Sequence, residues 1–289
     1  MTGRRAHRPL PPARLTRPGP AGRRRRLATG LGLAAALGTA ALAAPGASAL
    51  TPSSASATSA AAAAPAPAPC PAPPPRTVSR APGSGRTVAL TLDDGPTGET
   101  RSVLAALKRA KVHATFFVVG KRVALGAVTV KQAAEQGHLI ANHSWDHSYP
   151  SAVPGGWTAA YLQGSLSATN AAVLAATGRR PCWFRPPGGF LPSTVLPAAR
   201  AQGMGVALWS VDPRDWQVQA GVTTPTAARK ASMAELIADR ALAGRSQSHP
   251  IVLLHDGGGS RGATTAALPR IIAGYKAAGY TFVRLDGRR

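Results

Sequence analysis

Short apolar runs alternate with longer amphipathic stretches throughout residues 86–289. The apolar runs predict strands, because they are four to six residues long and bounded by polar or glycine positions. They cover residues 87–92, 114–119, 138–141, 182–185, 206–210, 251–255 and 280–284. Helical periodicity fills the gaps, at residues 99–111, 123–136, 157–177, 193–202, 227–243 and 264–278. Strands separated by single helices are typical of a parallel α/β sheet.

The number of strands favours a barrel over an open sheet. About seven strands in about 200 residues approach the eight strands and the size of a (β/α) barrel. Charged and polar side chains lie at or just after the ends of five of the predicted strands: Asp93, Asp94, His143, His147, Arg185, Asp212, Asp215 and His255. The carboxyl ends of parallel barrel strands meet on one face, where active sites are built. We therefore expect these side chains to share one site.

The first 85 residues have a different composition. Residues 1–49 contain nine arginines and no acidic residue, and an apolar run from 27 to 44 precedes Ala47-Ser48-Ala49. This pattern predicts an export signal peptide over residues 1–49, with an uncleaved membrane anchor as the alternative. The arginines allow either the general or the twin-arginine export route. Residues 50–85 are rich in Ala, Pro, Ser and Thr and predict a disordered linker, so we expect the folded domain to cover residues 86–289.

Net charge and cysteine content indicate which partners and which cellular location the sequence favours. The chain has a formal net charge of +23. Without a nucleic-acid reader motif, this charge favours an anionic cell-wall polymer as partner over nucleic acid. Membrane contact is expected only through the signal segment, and we predict a secreted or cell-wall-associated protein. Export permits a disulfide between Cys70 and Cys182, although two unpaired thiols fit the sequence equally well. The oligomeric state is left open.

Two short motifs together predict a metal centre. Asp93 and Asp94 are adjacent, and His143 and His147 are four residues apart. One aspartate and two imidazoles give a divalent cation three ligands and leave a coordination position open for water. The second aspartate can then accept a proton from that water. Zinc is the first expectation for the metal, with cobalt or manganese as alternatives.

Five ordered motifs resemble those of the polysaccharide deacetylases, the NodB-homology domain of carbohydrate esterase family 4. The motifs are Thr-Leu-Asp-Asp-Gly-Pro (91–96), His-Ser-Trp-Asp-His (143–147), Arg-Pro-Pro-Gly-Gly (185–189), Asp-Pro-Arg-Asp-Trp (212–216) and Leu-Leu-His-Asp (253–256). The resemblance covers residues 86–285. It implies a distorted (β/α) barrel and a metal-dependent deacetylation.

The resemblance also implies a role for each motif residue. The metal ligands would be Asp94, His143 and His147. The catalytic residues would be Asp93 as general base, Arg185 to orient it, His255 as general acid, and Asp215, or less favourably Asp212, to tune His255. The substrate would contact Pro187, Gly188, Trp216, Leu253 and Leu254, with one of the two leucines lining the pocket for the acetyl methyl group.

Two positions depart from the family's usual pattern. Leu92 replaces a Phe, and Gly188 replaces a Tyr. The usual Tyr implies a negative φ at position 188, so we expect that Gly188 could be changed to Tyr without loss of catalysis. Among the tryptophans, Trp145 and Trp216 are the expected sugar contacts, whereas Trp183 and Trp209 lie in predicted strands and should belong to the core.

These observations predict an exported, metal-dependent hydrolase. It would remove N-acetyl groups from a GlcNAc-containing polysaccharide such as peptidoglycan or a chitin-like polymer. An O-acetyl esterase acting on acetylxylan is the alternative within enzymes, because ester and amide hydrolysis share an oxyanion. A non-catalytic cell-wall-binding module is the alternative of another class, although none of the expected ligands is missing.

Overall fold

A computed structural model of the chain describes residues 76–289. The predicted signal peptide, residues 50–75 of the predicted linker and Cys70 lie outside the described residues. Predictions about them, including the pairing of Cys70 with Cys182, therefore stay predictions. Among residues 76–289, the helices all lack the combination of length and apolar character needed to cross a bilayer.

Strands and helices alternate along the described chain. The strands are β1 (Thr87–Asp93), β2 (Thr115–Val118), β3 (Leu139–Asn142), β4 (Trp183–Phe184), β5 (Gly205–Val206), β6 (Ile251–His255) and β7 (Thr281–Phe282). The helices are α1 (Gly98–Ala110), α2 (Gly120–Glu135), α3 (Ala159–Thr177), α4 (Val195–Ala201), α5 (Asp215–Val218), α6 (Ala227–Leu242) and α7 (Gly262–Ala277). Single 3₁₀ turns cover Pro150–Ala152, Pro187–Gly189 and Ala243–Ser246.

The strands form one curled parallel sheet. Its order is β5-β4-β3-β2-β1-β6, and β7 pairs with the start of β1. Every pairing between these strands is parallel. The predicted α/β fold, a distorted barrel with about seven parallel strands, is confirmed.

Both faces of the central strands are shielded from solvent, which explains why the sequence of β1 is nearly continuously apolar. All seven residues of β1 are buried. Side chains that alternate along β1 and β6, including Leu92 and Leu254, pack against the helices in the largest apolar cluster. The intervening residues of β6, Leu253 and His255, belong to the opposite face and line a cavity.

The fourth and fifth strands are shorter than predicted. Each has two residues, and the predicted strand at 206–210 leaves the sheet after Val206. The next residue, Ala207, instead forms a parallel bridge with Val78. Residues near the end of the predicted linker therefore contact the domain. Helix α5 was not predicted, because its four residues are too few to show the spacing of apolar positions that is typical of a helix.

The turn after β1 depends on a close approach between two loops. Asp256 is buried, its Oδ2 accepts a hydrogen bond from Thr100 Oγ1 (2.6 Å), and its backbone N–H donates to the Asp93 carbonyl (3.0 Å). A Cβ atom at position 95 would overlap the carboxylate of Asp256. Gly95 is therefore required because the Asp256 side chain occupies the space of a side chain at that position.

We expect Gly95→Ala to lower the free energy of unfolding by about 1–3 kcal/mol, because the buried Asp256 carboxylate would have to move. Urea denaturation measures this change. Gly98→Ala is the matched control, since no atom lies within 4 Å of a Cβ at that position and it begins α1. The control should leave stability unchanged or raise it slightly. Equal stability of the Gly95→Ala and wild-type proteins would contradict the packing argument.

Candidate active site

The cavity lies at the carboxyl ends of the strands. Its volume is about 340 Å³. The motif side chains that line it are Asp93, Asp94, His143, His147, Gly188, Asp212, Trp216, Leu253 and His255. Asp93 is the register partner of His255 in the β1–β6 ladder, so these two residues sit side by side on neighbouring strands.

Three side chains converge as a candidate metal site. Asp94 Oδ1 lies 3.1 Å from His147 Nε2 and 3.5 Å from His143 Nε2. Among the described residues, these three form the one cluster of His, Cys, Asp or Glu whose ligand atoms all lie within 4.8 Å of one another. Asp94 Oδ1 is buried and has no hydrogen-bond partner. A buried acceptor without a donor is costly, and a cation would satisfy it.

The protonation of His143 suits a metal ligand. Its Nδ1 donates a hydrogen bond to the Arg185 carbonyl (2.7 Å), so the Nε2 lone pair is directed toward Asp94. Burial lowers the pKa of His143 to about 3, against the opposing effect of Asp94. The imidazole is therefore neutral at neutral pH, as a ligand must be. One carboxylate and two imidazoles form a donor set that fits zinc with a position open.

The loops that carry these ligands contain left-handed backbone. The φ angles are 75° at Asp94, 66° at Ser144 and 61° at His147. Hydrogen bonds hold the second loop in place: Ser144 N–H donates to Asn142 Oδ1 (2.8 Å), and His147 N–H donates to Ser144 Oγ (3.1 Å). Non-glycine residues in this region are strained by about 1–2 kcal/mol each, and such strain concentrates at functional sites.

Asp93 is paired with a fully buried arginine. Arg185 Nη1 donates to Asp93 Oδ1 (2.7 Å) and to Thr91 Oγ1 (2.8 Å). The other carboxylate oxygen, Oδ2, lies 3.6 Å from His143 Nε2. Burial raises the pKa of Asp93, while the Arg185 guanidinium acts in the opposite direction. The net shift of the Asp93 pKa is upward, and the ion pair with Arg185 limits it.

His255 is paired with Asp215. His255 Nδ1 lies 2.7 Å from Asp215 Oδ1, and the His255 backbone N–H donates to Asp215 Oδ2 (2.9 Å). Burial lowers the pKa of His255, but the Asp215 carboxylate raises it, and the result is a pKa of about 9. His255 therefore carries a proton at neutral pH. Asp212 instead accepts a hydrogen bond from the Arg214 backbone N–H (2.8 Å) and is not a hydrogen-bond partner of His255.

The expected substrate contacts divide into two groups. Gly188, Trp216 and Leu253 line the cavity. Leu254 does not, because it points to the helix side of β6 and is fully buried in the core, so its assignment to the substrate site is wrong. Pro187 is buried at the start of a 3₁₀ turn and does not line the cavity either.

The expectations about tryptophans are met only in part. Trp209 packs against an apolar core cluster as expected, but it also lines the cavity, because the chain has already left β5 at that point. Trp145 does not line it, and its ring lies against Gly120 instead. An indole in an active-site motif is thus not necessarily directed into the site.

The expected backbone geometry at Gly188 is wrong. Its φ is +63°, in the left-handed region. A Cβ atom there would lie 2.9 Å from Tyr149 Cε1 and 2.9 Å from Phe190 Cε2. Two aromatic rings from other positions already occupy that space, so tyrosine cannot be added at position 188 without displacing them.

Besides Trp209, three residues that line the cavity were not predicted from the sequence: Tyr149, Gly258 and Arg261. Tyr149 lies two residues after His147, outside the motif. Arg261 is buried, and its guanidinium donates to the carbonyls of Gly257 (2.7 Å) and Gly258 (3.2 Å), which fixes the glycine-rich loop after β6. The run of glycines followed by an arginine was the available signal for such a loop.

The chain is similar to known proteins over this domain. Residues 80–207 match the family model described as "Polysaccharide deacetylase". The peptidoglycan-N-acetylglucosamine deacetylase of Bacillus cereus is 36% identical over 208 residues, which cover 71% of this chain and 89% of that protein. The enzyme PgdA of Listeria monocytogenes, also named as a peptidoglycan-N-acetylglucosamine deacetylase, is 36% identical over 70% of this chain but only 38% of its own length.

Solved structures agree with the fold. The Bc1960 peptidoglycan N-acetylglucosamine deacetylase superposes with a TM-score of 0.62 at 29% sequence identity. The match covers 73% of this chain and 94% of that chain. The similarity therefore extends over nearly the whole of that protein.

We expect His143→Ala and His147→Ala to lose stoichiometric divalent metal, because two remaining ligands hold an ion too weakly. Elemental analysis after gel filtration measures the metal content. His113→Ala serves as the control, since His113 is outside the cluster and should not affect metal content. Full metal content in either site variant would refute its assignment as a ligand.

We expect Asp215→Asn to lower the pKa of His255 from about 9 toward or below 6.5, because burial still opposes the charge once the carboxylate is removed. NMR titration of the imidazole, at the same metal content in every protein, measures the change. Asp212→Asn removes a neighbouring carboxylate of the same motif and should leave the His255 pKa near 9. A lowered His255 pKa in Asp212→Asn and an unchanged one in Asp215→Asn would show that Asp212, and not Asp215, is the partner of His255.

Proposed function

Because the chain belongs to the polysaccharide deacetylase family, we propose that it hydrolyses N-acetyl groups of a GlcNAc-containing polysaccharide, either peptidoglycan or a chitin-like polymer. The observation that carries the proposal is the convergence in one cavity of the Asp94–His143–His147 cluster, an aspartate paired with arginine and a protonated histidine. These groups supply a cation site, a proton acceptor and a proton donor.

Asp94, His143 and His147 would hold a divalent cation, with zinc as the first choice and cobalt or manganese as alternatives. Bound there, a cation would polarise the acetyl carbonyl and lower the pKa of a bound water toward ~7. The neutral state of His143 and the unpaired Oδ1 of Asp94 support this assignment.

Asp93 is the general base in this proposal. It accepts a proton from the water that attacks the acetyl carbon, so that a new C–O bond forms as the proton leaves. The hydrogen bond from Arg185 fixes one carboxylate oxygen and leaves the other on the side of His143, within the cavity. Such positioning keeps the base in place for proton transfer.

His255 is the general acid. It donates its proton to the departing nitrogen as the C–N bond breaks, giving acetate and a free amine on the sugar. Its pKa of about 9, raised by Asp215, supports a protonated imidazole at the start of each turnover. Base and acid are separate groups with separate partners, so both can be in the correct state at the same pH.

The substrate would be held by groups around these residues. The backbone N–H of Gly188 would stabilise the oxyanion, a contribution of about 3 kcal/mol per donor in other enzymes. Leu253 would contact the acetyl methyl group, and the half-exposed ring of Trp216 would contact a sugar. Asp93, Arg185, Asp215 and His255 form the catalytic set.

The setting proposed for this activity is outside the cytoplasm. Residues 1–49 would act as an export signal and residues 50–85 as a linker that holds the catalytic domain, residues 86–289, in or near the cell wall. The high positive charge of the chain would favour association with anionic wall polymers. Nucleic acid has no role in this proposal.

We expect Asp93→Asn to retain metal but lose activity by about 10²-fold or more, because it removes the general base. Asp94→Asn should lose the metal itself, because it removes a ligand. Acetate release from peptidoglycan and chitin oligomers measures activity, and elemental analysis measures metal content. If the two variants show each other's phenotype, the roles within the pair are reversed.

The same assay separates the remaining functions. Release of acetate from acetylxylan but not from GlcNAc polymers would establish the O-acetyl esterase in place of the proposed function. Binding to cell-wall polymer without acetate release from any substrate, in metal-loaded protein, would identify a non-catalytic wall-binding module.

A further inference from the structure

We propose that Tyr149 and Phe190 form a sugar-binding platform next to the catalytic cavity, where they hold the polysaccharide ring adjacent to the one being deacetylated. The inference rests on the proposed function and adds a specificity determinant to it. It starts from Gly188, where the two rings occupy the space that a side chain would take. This chain therefore supplies aromatic surface at that point from two other positions.

The platform is continuous with the metal site. The ring centroids of His147 and Tyr149 are 5.4 Å apart, and those of Tyr149 and Phe190 are 5.6 Å apart at an angle of 64°. Tyr149 also lines the cavity. A substrate that extends from the reacting centre past His147 would therefore meet these two rings next.

Exposed aromatic side chains are concentrated around this cavity. Tyr149 is 43% exposed and Phe190 is 49% exposed. Within residues 76–289, the only other large aromatic side chain with comparable exposure is Trp216, which lines the same cavity. Exposed aromatic surface concentrated around one cavity is typical of a binding site rather than of random surface composition.

The platform is held rigidly by its surroundings. Phe190 packs edge-on against Trp157, with ring centroids 6.5 Å apart, and Trp157 is buried. Trp157 Nε1 donates to the Ser148 carbonyl (3.2 Å), which fixes the residue before Tyr149. Asp146 Oδ1 accepts hydrogen bonds from the Ser148 backbone N–H (3.1 Å) and the Tyr161 hydroxyl (3.2 Å). A surface fixed in this way loses little conformational entropy when it binds a ligand.

The chemistry of the platform indicates an uncharged sugar ring. The faces of aromatic rings carry partial negative charge, and their area is apolar. A β-linked pyranose presents C–H groups on its faces, which carry the complementary partial positive charge, whereas its hydroxyl groups remain at the edge in water. The platform should therefore increase affinity only for substrates that are long enough to place a second sugar ring beside the reacting one.

Kinetics on chitotetraose test the platform. We expect Tyr149→Ala and Phe190→Ala each to raise KM by roughly 2- to 10-fold, the range that aromatic contacts of this kind contribute. The value of kcat should change less than KM, because neither ring contacts the reacting atoms in this arrangement. Tyr149→Phe restores the ring and should recover most of the affinity lost in Tyr149→Ala. Leu236→Ala, which removes a side chain of similar exposure (42%) on α6, is the control and should not alter KM.

Binding to metal-loaded Asp93→Asn protein separates this inference from the proposed function. NMR titration should show weaker chitotetraose binding in the two platform variants but unchanged binding of the N-acetylglucosamine monomer. Equal effects on monomer and tetramer, or no effect on either, would overturn the platform. Absence of acetate release from every GlcNAc substrate in wild-type protein would refute the proposed function, while the binding experiment would still decide on the platform. Elemental analysis of each variant verifies that the change next to His147 has not removed the metal.

Discussion

The buried ion pair between Arg185 and Asp93 is the interaction on which the rest of the site depends. The guanidinium donates to Asp93, to Thr91 and to two backbone carbonyls of the segment after β5, and its charge lies 4.0 Å above the ring of Phe117. The Arg185 carbonyl also accepts the hydrogen bond that orients His143. One residue thus fixes both the proposed general base and a candidate metal ligand. Removing one partner of such a buried pair typically costs about 3–5 kcal/mol, so a change here would affect folding as well as chemistry.

Strained backbone residues of the candidate metal site lie in the loops, whereas the sheet is regular. The strand ladders are uninterrupted where β1 meets β2 and β6. The left-handed residue Asp94 follows the end of β1, and its backbone N–H donates to the Phe117 carbonyl of β2 (3.2 Å). The left-handed residue His147 lies in the loop after β3, and its backbone N–H donates to Ser144 Oγ of the same loop (3.1 Å). Strain of this kind persists only where the surrounding structure over-determines the backbone. Its presence at two residues of the same candidate metal site suggests that ligand placement has been favoured over local stability.

Much of the fold could be predicted from the sequence, because the spacing of apolar residues shows which positions of a strand or helix are buried. The long elements β1, β6 and α6 matched their predicted ranges closely, whereas β4 and β5 are too short for two-residue alternation to define their ends. The face to which a side chain points was harder to predict. Leu253 and Leu254 are both apolar, and only the pairing of β6 with β1 decides which one reaches the cavity.

Site geometry that depends on distant segments could not be predicted. Gly188 has a positive φ, and the rings of Tyr149 and Phe190 occupy the space beside it; no local pattern encodes that meeting. By contrast, the parallel register that places Asp93 beside His255 is set by the main-chain ladder. The spacing between Asp93 and His255, the proposed proton acceptor and proton donor, therefore depends on the main-chain ladder and not on side-chain packing. Mutations can remodel the surrounding loops while this spacing is inherited unchanged.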